Sequence, residues 1–85
     1  MKSFEYVIKE EVGIHARPAS LLVKAATAYN SRITIEKAGK KADVKSLLTV
    51  MALGVKYGDK VTFFIEGGDE ALAAKELETF CKKTL

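Results

Sequence analysis

Along this chain the spacing of apolar residues switches repeatedly between the period of a strand and that of a helix, which leaves few possible architectures. Phe4, Tyr6 and Ile8 alternate with Glu5, Val7 and Lys9, the pattern of a strand with one buried face. From Pro18 onward, Leu22, Ala25, Ala26 and Tyr29 recur at i, i+3, i+4 and i+7, which predicts a helix ending near Asn30. Pro18 suits its first turn, where a missing N–H costs nothing. Arg32 to Lys37 alternates again, and Ala38-Gly39-Lys40 turns the chain into a short strand carrying Ala42 and Val44, so the pair reads as a hairpin. Ser46 is a candidate N-cap for a short apolar helix from Leu47 to Leu53, closed by Gly54. After the turn at Tyr57-Gly58-Asp59, Val61, Phe63 and Ile65 mark one face of a strand from Lys60 to Glu66. Gly67-Gly68-Asp69 then ends that strand and is expected to cap a last helix striped by Leu77, Phe80 and Cys81. The predicted order is β-α-β-β-α-β-α, an α+β plan with helices on one face of a mostly antiparallel sheet.

The 85 residues suffice for one domain, residues 1–85, and contain neither linker nor internal repeat. No apolar run approaches the roughly 20 residues needed to cross a bilayer, and Met1-Lys2-Ser3 leads straight into an alternating strand rather than a signal peptide. A cytoplasmic protein is expected. With a single cysteine, Cys81, and a single histidine, His15, the chain offers neither an internal disulfide nor a structural zinc cluster, so no metal is expected. The net charge of +3 is unevenly spread: residues 15–56 hold eight Lys or Arg against two acids, while both flanks are net acidic. A basic middle attracts nucleic acid, a membrane surface or an acidic protein, and charge alone does not choose among them.

Local chemistry is most specific at Gly13-Ile14-His15-Ala16-Arg17-Pro18, which places the histidine at the mouth of the first helix. A lone histidine in a small domain is ordinarily a packed or surface side chain. Here its surroundings point to chemistry. A helix N-terminus presents unpaired backbone N–H groups, those of Ala16 and Arg17 here, and a positive dipole end that together suit phosphate. The same field keeps imidazole neutral and nucleophilic. Arg17 adds a guanidinium matched to phosphate oxygens, and Gly13 permits a sharp turn and close backbone approach. The set reads as a phosphohistidine site. The chain has no Gly-rich nucleotide loop, Walker-type lysine motif or carboxylate cluster for magnesium, so use of ATP by the protein itself is not expected and no cofactor is implied. Such a domain is best explained as a carrier that meets its donor and acceptor as separate proteins.

Gly13-Ile14-His15-Ala16-Arg17-Pro18-Ala19, followed by Lys45-Ser46-Leu47-Leu48 and Leu53-Gly54-Val55-Lys56, closely resembles the HPr family, the histidine-containing phosphocarriers of the bacterial phosphoenolpyruvate-dependent sugar phosphotransferase system. The resemblance covers essentially the whole length. It implies an open-faced β-sandwich with strand order 1-4-2-3 and three helices on one side. It also implies that His15 takes a phosphoryl group on Nδ1 from phosphorylated enzyme I and passes it to IIA domains of sugar permeases, with Arg17 stabilising the group. Such a protein is a carrier rather than an enzyme, and a monomer is expected.

By spacing alone Ser46 is a cap. The resemblance adds that Ser46 matches a position phosphorylated by a dedicated ATP-dependent kinase, the HPr kinase/phosphorylase, in many low-GC Gram-positive bacteria, where a catabolite-control transcription factor is a further partner. The chain departs from the commonest pattern there, with Leu47-Leu48-Thr49 in place of Ile-Met-Gly, and Val12 is apolar where the family often has a polar residue. Leu47, Leu48 and Met51 lie at helical spacing, and a helix this short cannot bury every apolar face, so a docking patch near His15 is expected. Lys24, Lys45 and Lys56 are expected to form its charged rim.

Two other classes compete with the carrier. A nucleic-acid-binding module would use the basic middle, but its basic residues are not interleaved with exposed aromatics and no recognition motif is present. A purely regulatory relative of the same family would bind a transcription factor without carrying phosphate. Such relatives replace the active histidine, and this chain retains His15.

Overall fold

The computed structural model describes residues 1–11, 13–14 and 16–85, leaving Val12 and His15 outside the described residues. The elements follow the predicted order: β1 (Lys2–Val7), α1 (Ala16–Thr27), β2 (Arg32–Lys37), β3 (Lys40–Asp43), α2 (Leu47–Ala52), β4 (Lys60–Glu66) and α3 (Glu70–Thr84). The four strands form one sheet in the order β1-β4-β2-β3, every neighbouring pair antiparallel. This is the open-faced arrangement expected for the family.

The period-2 pattern decides which side of the sheet is covered. Val61, Phe63 and Ile65 on β4 and Ile33 and Ile35 on β2 are fully buried under the helices, while Thr62 and Phe64 between them face the other way and are half-buried. Phe4 and Phe63 are cross-strand partners on the covered face and their rings stack with centroids 4.9 Å apart, a pairing that contributes about 1 kcal/mol beyond the area it buries. From above, α1 adds Ala19, Leu22 and Ala26, and α3 adds Ala73, Leu77 and Cys81, each set at the three- to four-residue spacing of one helical face. On the bare face, the Lys41 ammonium lies 5.4 Å from the centroid of the Phe64 ring.

The hairpin turns at Ala38-Gly39, with φ of +51° and +83°. Positive φ at both central residues matches the right-handed twist of the flanking strands. Three local expectations are corrected. Helix α1 ends at Thr27 rather than near Asn30, because the backbone N–H groups of Asn30 and Ser31 donate to the two carboxylate oxygens of Asp69, at 2.8 and 3.0 Å. Asp69 precedes α3 but does not cap it with its side chain, because the Ser31 hydroxyl donates to the same carboxylate. Ser46 occupies the N-cap position of α2 with an extended backbone, yet its hydroxyl makes no capping bond. There the local tie is Thr49, whose hydroxyl lies 2.8 Å from the Asp43 carbonyl and 3.0 Å from that of Ser46.

Candidate functional site

The segment leading into α1 is built against the strip of chain between α2 and β4. The Gly13 N–H donates to the Glu10 carbonyl at 2.9 Å, and the Ile14 N–H donates to the Val55 carbonyl at 3.0 Å. Ile14 and Val55 are both buried. Gly13 has φ of +77° and approaches the strip so closely that a Cβ would stand 2.6 Å from the Val55 oxygen and 2.8 Å from the Lys56 Cα. Only glycine meets both conditions, since the left-handed conformation strains any other residue and the contact leaves no volume for a side chain. The backbone is thereby fixed at Gly13 and Ile14.

Ala16 and Arg17 are the first two residues of α1 and both are exposed. Their N–H groups occupy positions without an intrahelical acceptor. Arg17 lines an open hollow of about 280 Å³ with Glu10, Pro18, Leu21 and Thr84. Pro18 sits in the first turn and is buried, so the proline anchors the helix mouth that Arg17 flanks. The tail of α3 closes over the same end of the molecule, where the Leu85 carbonyl accepts the N–H groups of Lys9 and Glu10. His15 is flanked in sequence by this construction but lies outside the described residues.

The remaining candidate residues fall on two neighbouring helices and the two loops that flank α2. Helices α1 and α2 pack against each other. Leu48 is 82% exposed, and Leu47 and Met51 are about two-fifths exposed, at 38% and 41%. Leu21 on α1 is also exposed, at 45%, and sequence reasoning missed it. The signal was available: Leu21 and Leu22 are adjacent, and a helix cannot point both at one core. Lys24 and Lys56 are exposed. Lys45 differs from them, being half-buried with its ammonium donating to the Tyr29 carbonyl at 2.6 Å, so it ties the start of α2 to the end of α1. Ser46 is half-buried beside it.

Among the described residues, no group of three or more His, Cys, Asp or Glu side chains is placed to hold a metal ion. No described helix is long and apolar enough to cross a membrane. Cys81 is fully buried on α3. Burial, with a smaller contribution from the negative charge of Glu78, pushes its thiol up to about 12.

Comparison with known proteins agrees with this geometry. The family model described as the HPr component phosphorylation site of the phosphotransferase system matches residues 2–83. A mycoplasmal histidine-containing phosphocarrier protein superposes with a TM-score of 0.94 at 36% identity, covering 98% of this chain and 94% of that one. HPr from Thermoanaerobacter tengcongensis gives 0.94 at 40% identity, covering 99% and 94%. The Bacillus subtilis catabolite repression protein Crh, described as a dimer with a swapped domain, gives 0.79 at 33% identity, covering 100% and 98%. With its open sheet of order 1-4-2-3, its glycine-led turn into α1 and this match across nearly its whole length, the chain belongs to the HPr family, the phosphocarriers of the sugar phosphotransferase system, which relay a phosphoryl group and have no catalytic turnover of their own.

Proposed function

We propose that the protein accepts a phosphoryl group from phosphorylated enzyme I on Nδ1 of His15 and delivers it to IIA domains of sugar permeases. The Nδ1 lone pair forms the bond to phosphorus as the donor's bond to phosphorus breaks, and the reverse exchange discharges the group onto the acceptor. The N–H groups of Ala16 and Arg17 and the Arg17 guanidinium supply donors and positive charge to the phosphoryl oxygens. The observation that carries this reading is the placement of Arg17 in the first turn of α1, next but one to His15, in a chain whose family carries phosphoryl groups. The exposed Leu47, Leu48 and Met51, joined by Leu21, form the apolar docking patch, and Lys24 and Lys56 give it a positive rim, with Lys45 behind them. In this reading the carrier works as a monomer.

Ser46 is the regulatory position in this reading. A kinase-added phosphate there places about two negative charges beside the exposed leucines, where an acidic partner must approach. A catabolite-control transcription factor is the corresponding regulatory partner.

The test is incubation with enzyme I and labelled phosphoenolpyruvate. The wild-type protein is expected to acquire acid-labile label, and His15→Ala to acquire none while keeping its circular dichroism spectrum and melting temperature. Acid-labile label on His15→Ala overturns the assignment.

A further inference from the structure

One lysine holds the strip between α2 and β4 from outside. Lys37, the last residue of β2, is half-buried, and its ammonium donates to the Gly54 carbonyl at 2.7 Å and lies 2.9 Å from Oδ2 of Asp59. That same oxygen accepts the Lys56 N–H at 2.8 Å, and the Asp59 N–H donates back to the Lys56 carbonyl at 3.0 Å. A single side chain therefore fastens both ends of the segment 54–59. The inner edge of this segment is the surface on which Gly13 and Ile14 rest, through the bond from the Ile14 N–H to the Val55 carbonyl and the contact that excludes a Cβ at Gly13. A strip packed this tightly against the turn cannot shift by a few tenths of an ångström without moving the turn or stretching that bond.

We propose that Lys37 and Asp59 are positioning residues for phosphoryl transfer, acting through the segment 54–59 to fix the backbone of Gly13-Ile14 ahead of α1. The proposal rests on the assignment of His15 as acceptor. Neither residue supplies an atom to the reaction. Their effect falls on the geometry from which the transfer starts, where a displacement of about 1 Å costs on the order of a hundredfold in rate. The Asp59 carboxyl, held below the usual range by Lys37 and then by the Lys56 N–H, is the anion this arrangement needs throughout the neutral range.

The experiment compares wild type, Lys37→Met, Lys37→Arg and Asp59→Asn in the labelled phosphoenolpyruvate assay, together with amide hydrogen exchange. Lys37→Met and Asp59→Asn are expected to lower the maximal rate of phosphoryl acceptance about fivefold to tenfold with KM for enzyme I within twofold. The Ile14 amide should exchange at least tenfold faster while the amides of β4 keep their wild-type rates. Lys37→Arg should restore both quantities to within about twofold. A folded Lys37→Met protein with an unchanged rate, or with a lowered rate but unchanged Ile14 exchange, overturns the proposal and leaves the His15 assignment standing. A wild-type protein that takes no label overturns the assignment itself, and the positioning role with it.

Discussion

Replacing Gly13 by alanine tests how much the close approach of the turn to the strip is worth. The substitution forces a side chain into a φ of +77°, which costs about 1 kcal/mol. The new methyl would stand 2.6 Å from the Val55 oxygen, whereas comfortable carbon contacts begin at about 3.5 Å. The turn and the strip must therefore separate, which sacrifices the Ile14 to Val55 hydrogen bond, worth about 1 kcal/mol, and disturbs the packing of two buried side chains at a cost of about 2 kcal/mol. The total is about 4 kcal/mol. Gly39 provides the control, because its φ is also positive, at +83°, yet nothing lies within 4 Å of a Cβ built there. Gly39→Ala should cost only the backbone contribution of about 1 kcal/mol. At about 5 °C per kcal/mol for a domain of this size, thermal melts followed by circular dichroism should show a fall of about 20 °C for Gly13→Ala and about 5 °C for Gly39→Ala. Melting temperatures for the two variants within about 5 °C of each other would refute the claim that the approach to Val55 and Lys56, rather than backbone conformation alone, requires glycine at position 13.

The Asp69 carboxyl is held below the usual range, first by the Ser31 hydroxyl and then by the Asn30 N–H. Its stabilising contribution is therefore complete above the ordinary aspartate value and is lost as pH falls through the lowered one. Asp69→Asn should accordingly show a lower melting temperature at pH 7 and a shallower loss of stability below about pH 4; parallel acid limbs for variant and wild type would contradict this. Arg17→Ala should slow phosphoryl acceptance at subsaturating enzyme I by roughly tenfold to a hundredfold without abolishing it, because the backbone N–H groups at the start of α1 remain; an unchanged rate would remove Arg17 from the site. Ser46→Asp should keep or slightly raise the melting temperature while raising KM for enzyme I, with partial recovery as salt is added. An unchanged KM at low salt would show that charge at this position does not regulate docking.

The parts of this fold that could be read from the sequence are those set by local periodicity. Val61, Phe63 and Ile65 announce both a strand and its buried face, and Ala38-Gly39 announces a turn, because each signal lies within a few residues. The misread ends have distant causes. Tyr29 continues the apolar spacing of α1, but the helix has ended at Thr27 and the amides of Asn30 and Ser31 bond to a carboxylate 39 and 38 residues away. That same diversion explains why Asp69 fails as a cap, and no local rule registers that a side chain is already engaged elsewhere. The candidate site divides similarly. The helix that opens around Arg17 and Pro18 could be read because a proline in a first turn is a local signal. The contact of Gly13 with Val55, and the bonds of Lys37 to Gly54 and Asp59, could not be, since they join three segments that the sequence keeps apart.

Cys81 lends the molecule a built-in clock. Its sulfur is sealed beneath α3, and a thiol whose ionisation is pushed up to about 12 holds almost no thiolate at neutral pH, so alkylating reagents have no route to it in the native state. Labelling must wait until α3 lifts from the sheet. For an opening that costs about 5 kcal/mol, at the low end for a small domain, the reaction should run about four orders of magnitude slower than at a free cysteine. The rate of irreversible alkylation thus counts openings of the last helix one molecule at a time, without any introduced probe, and would register whether a bound partner or an added phosphate slows the lifting of α3.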